Sequence, residues 1–217
     1  MSYKEILQEM IEKLAKTRGT PQWSFIRQKD LDLSDLDSVE QWEPLEPDFQ
    51  IEDNEEYWFR HELTVPEEIQ GISTGGTPAY VHFWFLAHTE VFIDRHKIFE
   101  ERFWADAHKP EVLITDEATP GQTIEILIHV RNRDLMNTCG AWLGLSIGYG
   151  SVDEVIFELE TFLQEMDFCS RFEEIQTEYK QAEDLLEREV KQQTPPVQVI
   201  EILRKAREIL DPVKKIT

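Results

Sequence analysis

The amino-acid sequence predicts an α+β fold, in which an antiparallel β-sandwich of the jelly-roll type is flanked by an N-terminal helix and a C-terminal helical segment. Two observations predict this fold class. Between residues 57 and 149, short apolar or alternating stretches are separated by Gly/Pro turns, and no helical pattern interrupts them. Before and after this region, apolar residues recur at the three- and four-residue spacing of helices. We therefore expect three regions, residues 1–19, 20–150 and 151–217.

The N-terminal region is predicted to be a single helix that ends near Gly19, because Thr20 and Pro21 follow. Its apolar residues share one face: Ile6, Leu7, Met10, Ile11 and Leu14. A helix with one apolar stripe must bury that stripe against another part of the protein.

The middle region begins with an acidic, proline-containing arm, residues 23–53, which should wrap a surface of the sandwich. Its aromatic anchors are Trp23, Phe25, Trp42 and Phe49. The strands predicted after the arm are residues 57–65, 79–86, 90–94, 111–114, 123–130 and 141–149. Pro120 and Gly121 supply a turn before the fifth of these strands, because Pro fixes φ and Gly tolerates a positive φ.

The C-terminal region is predicted to be helical. One apolar face comprises Val155, Ile156, Leu159, Phe162, Leu163 and Met166. A continuation or second helix carries Phe172, Ile175, Tyr179, Leu185 and Leu186. Residues 192–195 break this pattern, and Pro196 suits the first turn of a final helix, where its missing N–H is not needed.

Charge and composition argue against two classes of partner. The chain has 44 acidic and 22 basic residues, a net charge of −22, and no stripe of Lys or Arg. Such a surface repels phosphate backbones and anionic membranes, so we expect neither nucleic acid nor a membrane as partner. The N-terminus does not resemble a signal peptide, and no apolar run approaches the ~20 residues that span a bilayer. With two widely separated cysteines, Cys139 and Cys169, these features predict a reducing, cytoplasmic setting.

Sequence motifs for metal, phosphate or nucleophile chemistry are not evident. The six histidines lack metal-ligand spacing and are interpreted as surface or capped core residues, so no cofactor is expected in this chain. A glycosidase needs two carboxyl groups across the scissile bond, and Asp94 and Asp106 are the pair to test. Closing a turn or accepting backbone amides explains each of them more simply.

An aromatic segment near these two carboxylates is the candidate contact surface. We expect it to lie on a loop of the sandwich, with contacts from Phe99, Phe103, Trp104, Asp106 and His108. Aromatic rings and carboxylates can bind sugars, but aromatic residues and Arg are also typical of protein interfaces. The pattern favours an interface, with carbohydrate binding as the alternative.

Several motifs, in order, resemble one family. Trp58-Phe59-Arg60 on a strand that ends in Val65-Pro66-Glu67-Glu68 resembles the strand opening the galactose-binding-like sandwich of glycoside hydrolase family 38 α-mannosidases. A related Trp-Tyr-Arg strand begins the sugar-binding domain of family 2 glycosidases. Further matches are the acidic Trp42-Glu43-Pro44 arm, the apolar strand His82–Phe85, the segments Thr89–Asp94 and Asp106–Ile114, the Pro120-Gly121 turn, and the strand Ile124–Ile128. One departure is Asp94-Arg95, where the family has Asp-Gly, so we expect a different turn geometry.

The resemblance implies a function for the chain. It implies a non-catalytic N-terminal region that braces a downstream catalytic domain, which in the family binds zinc through a Gly-His-x-His-x-Asp motif and uses an Asp nucleophile. That motif does not occur in these 217 residues, so we expect the catalytic domain to follow Thr217. The implied partners are the protein's own catalytic domain, further copies in a homo-oligomer, and mannosides. The alternatives are an autonomous carbohydrate-binding module and a self-sufficient glycosidase that uses Asp94 and Asp106.

Overall fold

The computed structural model describes residues 1–17, 22–46, 49–52, 54–84, 87–102, 111–131, 141–142 and 144–210. The helices are α1 (Tyr3–Thr17), α2 (Gly150–Cys169), α3 (Gln176–Glu189) and α4 (Pro196–Leu210). The strands are β1 (Ser24–Arg27), β2 (Glu43–Pro44), β3 (Gln50–Ile51), β4 (Glu56–Thr64), β5 (Glu68–Ile69), β6 (Ile72–Ser73), β7 (Ala79–Trp84), β8 (His88–Ile93), β9 (His96–Arg102), β10 (Glu111–Thr115), β11 (Thr123–Arg131), β12 (Ala141–Trp142) and β13 (Gly144–Tyr149).

The chain divides into two compact units. A helical unit comprises Met1–Thr17, Glu68–Thr74 and Gly150–Thr217, and a sandwich unit comprises Arg18–Glu67 and Gly75–Tyr149. The N-terminal helix therefore belongs to the same unit as the C-terminal helices. The α+β class with antiparallel sheets is confirmed.

The sandwich unit contains a six-stranded antiparallel sheet in the order β2-β1-β4-β11-β8-β9 and a three-stranded antiparallel sheet in the order β10-β7-β13. The inner faces of the two sheets meet, since the rings of Phe83 and Phe99 make an edge contact with centroids 5.7 Å apart. Side chains alternate across each strand, and most of the inward positions are apolar and buried. They include Phe59, Val81, Phe83, Val91, Ile126, Ile128, Leu145 and Ile147.

The outer face of the six-stranded sheet is covered by the acidic arm. A second apolar cluster forms there from Ile26, Leu31, Leu36, Trp58, Phe92 and Leu127, with Leu33, Val39 and Trp42 packed against it. A 3₁₀ helix at Leu33–Ser38 places Leu36 over the sheet. Residues of the arm therefore pack against this face of the sheet.

One segment differs from expectation. The aromatic segment after Asp94 was expected to be a loop, but its described part, His96–Arg102, is strand β9, paired antiparallel with β8. It is the edge strand of the sheet and carries Lys97, Glu100 and Glu101. Edge strands often carry charges, which obscure the alternation that identifies a strand. The predicted strand 141–149 also divides, because β12 pairs with β3 whereas β13 pairs with β7.

The helical unit buries one face of each helix. The buried residues of α1 include all five predicted ones, and Ser2 and Glu5 form a capping box before it, with the Ser2 N–H donating to Glu5 Oε2 at 2.7 Å. Helix α4 begins at Pro196, as predicted. Arg207 of α4 pairs with Glu158 at 2.5 Å and Glu165 at 2.7 Å, so it links α4 to α2.

We expect Leu36→Ala to lower the free energy of unfolding of the sandwich by about 2–4 kcal/mol, because it leaves a cavity between the arm and the sheet. Leu36 is 2% exposed. The matched control is Leu113→Ala, whose side chain is 45% exposed on β10 and should change stability by no more than about 0.5–1 kcal/mol. Urea unfolding followed by Trp fluorescence tests this, because all six Trp residues lie between positions 23 and 142. Equal losses in the two variants would contradict the packing of the arm.

Candidate functional site

The structure describes one of the five predicted contact residues. Phe99 lies on β9, half-buried, with its ring against Phe83 of the opposite sheet. The other four, Phe103, Trp104, Asp106 and His108, lie outside the described residues, as does Cys139. Cys169 is a buried free cysteine, and burial raises the pKa of its thiol.

The outer face of the six-stranded sheet contains a buried charged network. Glu90 of β8 and His129 of β11 are directly opposite in the strand register, and His129 Nδ1 donates to Glu90 Oε2 at 3.0 Å. Arg131 donates to the same carboxylate oxygen at 2.8 Å. Glu90 is 9% and His129 7% exposed, so both groups are largely removed from water. Burial of charge is tolerated here because the ionised groups are paired and hydrogen-bonded.

Aromatic stacking fixes the His129 ring. The Trp58 ring lies parallel to it, with an interplanar angle of 3° and centroids 4.2 Å apart. Trp58 is itself fixed, because its Nε1–H donates to the Leu31 carbonyl of the arm at 3.1 Å. At the other ring nitrogen of His129, Nε2, the nearest carboxylate is that of Glu56, whose Oε2 lies 3.7 Å away. His129 is thus a capped core histidine, as the sequence suggested.

The network continues to the surface along β8 and β9. Lys97 donates to Glu90 at 3.1 Å and to Glu100 at 2.6 Å. His88 receives a hydrogen bond from Arg131 on Nδ1 at 3.0 Å and donates from Nε2 to Glu100 at 3.2 Å. Charges from three adjacent strands therefore neutralise one another, and the network holds β8, β9 and β11 in register.

The pKa values of the two buried groups follow from this geometry. Burial lowers the pKa of His129, and the nearby Arg131 charge acts in the same direction, against the hydrogen bond to Glu90. Burial alone would raise the pKa of Glu90, but hydrogen bonds from Lys97 and His129 and the charge of Arg131 hold it below its usual value. A neutral His129 beside an ionised Glu90 is therefore the favoured state near neutral pH.

A second cluster lies at the turn between β8 and β9. Asp94 and Arg95 have φ values of 46° and 67°, and Ile93 pairs with His96, which is the two-residue type I′ turn. Asp-Gly favours this same turn, so the expected difference in turn geometry is not found. Asp94 Oδ1 accepts the Glu125 N–H at 3.0 Å, so this carboxylate closes the turn.

Arg95 makes three side-chain contacts, one to strand β11 and two to the 3₁₀ helix of the arm. It donates to Glu125 of β11 at 2.7 Å, to the Leu33 carbonyl at 3.2 Å, and to Asp37 at 2.5 Å. Glu125 also pairs with Arg60 of β4 at 3.0 Å, and the Arg60 guanidinium lies 5.7 Å from the centroid of the Trp42 ring. These contacts join the hairpin turn, the sheet and the arm.

Comparison with known proteins gives matches among solved structures only. No protein-family model matches the sequence, and no curated protein does. A glycosyl hydrolase family 2 member from Bacteroides cellulosilyticus DSM 14838 is similar at 16% identity and a TM-score of 0.41, over 59% of this chain and 20% of that chain. The β-glucuronidases of Faecalibacterium prausnitzii and Ruminococcus gnavus are similar at 16% identity and TM-scores of 0.37 and 0.34, each over 51% of this chain and 20% of theirs.

The chain spans about a fifth of the length of these glycosidases. Within the described residues, no group of three or more His, Cys, Asp or Glu side chains is arranged to hold a metal ion. Among the same residues, no helix is long and apolar enough to cross a membrane.

We expect the sandwich to lose stability as the pH falls. Because the pKa of folded His129 is below its ordinary value of 6.5, its contribution is fully present above that pH and is lost as the pH falls through the folded pKa. Glu90 adds a second loss below its ordinary value of 4.5. His129→Gln should therefore flatten the profile of unfolding free energy between about pH 7 and 5. Urea midpoints across this range measure it.

The control for this profile is His96→Gln, since His96 is exposed at the hairpin. It should leave the slope near the wild-type value. A slope that His129→Gln leaves unchanged would show that the network does not control acid stability.

We expect Arg95→Gly to be more stable than Arg95→Ala by about 1 kcal/mol. Both variants lose the three contacts, but Gly adopts a φ of 67° without the steric cost that Ala has there. Urea unfolding of the pair measures the difference directly. Equal stability of the two variants would mean that the turn relaxes once the guanidinium is removed.

Proposed function

We propose that this chain is the non-catalytic N-terminal region of a glycoside hydrolase of the family 38 α-mannosidase type. In this proposal a downstream zinc-dependent domain hydrolyses the carbohydrate, and the sandwich and helices brace it and support oligomerisation. The protein acts in the cytoplasm, and its own catalytic domain is its main partner. The α-mannosidase assignment comes from the sequence motifs, whereas two of the similar solved structures are of a family 2 member.

The proposal is supported by the positions of Trp58, Phe59 and Arg60, the three residues of the Trp-Phe-Arg motif on β4. Trp58 and Phe59 project from opposite faces of β4, and both are buried, at 2% and 0% exposure. Arg60 pairs with Glu125 on the next strand. All three motif residues are therefore used to build the sandwich, so the resemblance rests on scaffold residues.

The position of Asp94 supports the same proposal over a self-sufficient glycosidase. A catalytic carboxyl group must face a substrate and be free to act as nucleophile or acid. The Asp94 carboxylate instead accepts the backbone N–H of Glu125 and holds a tight turn. Its role in the fold is accounted for without catalysis.

Phe99 bears on the second alternative, an autonomous carbohydrate-binding module. A sugar-stacking ring must present its face to solvent. The Phe99 ring contacts Phe83 between the two sheets, a geometry typical of core packing. This contact favours the scaffold role for Phe99.

The proposal is tested with the 217-residue chain and mannosides. We expect no hydrolysis of an aryl α-mannoside, and no mannoside binding by calorimetry at sub-millimolar concentration. We also expect the native reading frame beyond Thr217 to encode a Gly-His-x-His-x-Asp motif.

Each alternative predicts a different result. Sub-millimolar mannoside binding would favour the autonomous binding module. Hydrolysis that is lost in Asp94→Asn but kept in Asp116→Asn, a matched loop carboxylate, would establish a self-sufficient glycosidase. A native reading frame that stops at Thr217 would refute the accessory role.

A further inference from the structure

Helix α2 of the helical unit carries exposed phenylalanines on one face. Phe157 is 66% exposed and Phe168 is 55% exposed. They are eleven residues apart, which is three helical turns, so they share a face and are separated by about 16 Å. Phe172, at 36% exposure, lies three residues after the end of the helix. Exposed aromatic side chains along one face of a helix are typical of interaction surfaces.

The end of this surface is held rigid by local contacts. The rings of Phe168 and Phe172 lie with centroids 4.7 Å apart. The Phe172 N–H donates to the Cys169 carbonyl at 3.2 Å, and the Gln176 side chain donates to the Phe172 carbonyl at 3.0 Å. Asp167 and Arg171 form an ion pair beside the two rings. A preorganised aromatic pair loses little conformational entropy when it binds.

The charge around the phenylalanines is negative. Helix α2 contains no Lys or Arg, and its acidic residues are Asp153, Glu154, Glu158, Glu160, Glu165 and Asp167. Arg207 neutralises Glu158 and Glu165 on one flank. Glu154 and Glu160, which lie three residues before and after Phe157, form no ion pair with any described residue.

We propose that this face of α2 binds an amphipathic basic helix of a partner. Apolar side chains at a three-turn spacing on that helix would pack against Phe157 and the Phe168–Phe172 pair. Lys or Arg beside them would pair with Glu154 and Glu160. An amphipathic helix is recognised through apolar side chains at the spacing of helical turns, and complementary charge sets the specificity.

A second copy of this chain fits the face less well. Two α2 helices in contact through this face would oppose Glu154 and Glu160 of one copy to the same residues of the other, with no basic residue on either helix. Like charges opposed across an interface disfavour association. The net charge of −22 adds to this repulsion.

The test uses the 217-residue chain and two fluorescent helical peptides. Both peptides carry Leu at positions i, i+4, i+7 and i+11, and they differ in having Lys or Glu at the flanking positions. We expect the Lys peptide to bind, with an affinity that falls as salt is raised to about 0.5 M. Phe157→Ser/Phe168→Ser should weaken its binding about tenfold or more, and Glu154→Gln/Glu160→Gln about threefold to tenfold.

The control variant is Val197→Ser, an exposed apolar residue of α4 at 49% exposure, which should bind the Lys peptide as the wild type does. Far-UV circular dichroism verifies that each variant is folded. Absence of Lys-peptide binding, equal binding of the Glu peptide, or binding that survives the double Phe substitution would overturn the proposal. A dimer in sedimentation analysis that the double Phe substitution dissociates would assign the face to a second copy and also overturn it.

Discussion

The pairing of β4 with β11 is the constraint on which the sandwich depends. The two strands pair antiparallel over nine residues, from Thr64 opposite Thr123 to Glu56 opposite Arg131, at the centre of the six-stranded sheet. This register sends Phe59 into the space between the sheets and Trp58 under the arm. A slip of one residue would exchange the two faces of a strand, exposing apolar residues and burying charged ones.

Polar contacts on the outer face specify this register as well as stabilising it. The stacking of Trp58 on His129 and the hydrogen bond from His129 to Glu90 each need residues that are directly opposite on neighbouring strands. In a low dielectric, a buried charge that loses its partner is strongly destabilising. Alternative registers are therefore penalised by electrostatics in addition to lost packing.

The carboxylates of α2 fall into two groups, those paired within the helical unit and those beside the exposed phenylalanines. On one flank, Arg207 pairs with two carboxylates and lies 5.5 Å from the centroid of the Phe162 ring, so this flank belongs to the packing of the helical unit. On the exposed face, Phe157 lies between Glu154 and Glu160, neither of which forms an ion pair with any described residue. The carboxylates of the first group already have a cation within the helical unit, and those of the second group are available to the basic partner helix that we propose.

The sequence by itself determined the fold class, the helix face of α1 and the helix start at Pro196, because these depend on local periodicity and local backbone chemistry. Only the tertiary structure decided the elements whose partners are remote in sequence. The sequence of edge strand β9 has charges in place of clear alternation. Its pairing with β8, which places Phe99 against Phe83, is therefore seen only in the structure. Glu90 and His129 are 39 residues apart, and no local pattern relates them. The packing of the arm on the sheet is also decided by tertiary structure. Leu36 contacts a surface formed by Trp58 and Leu127, and that surface exists only after β4 and β11 have paired.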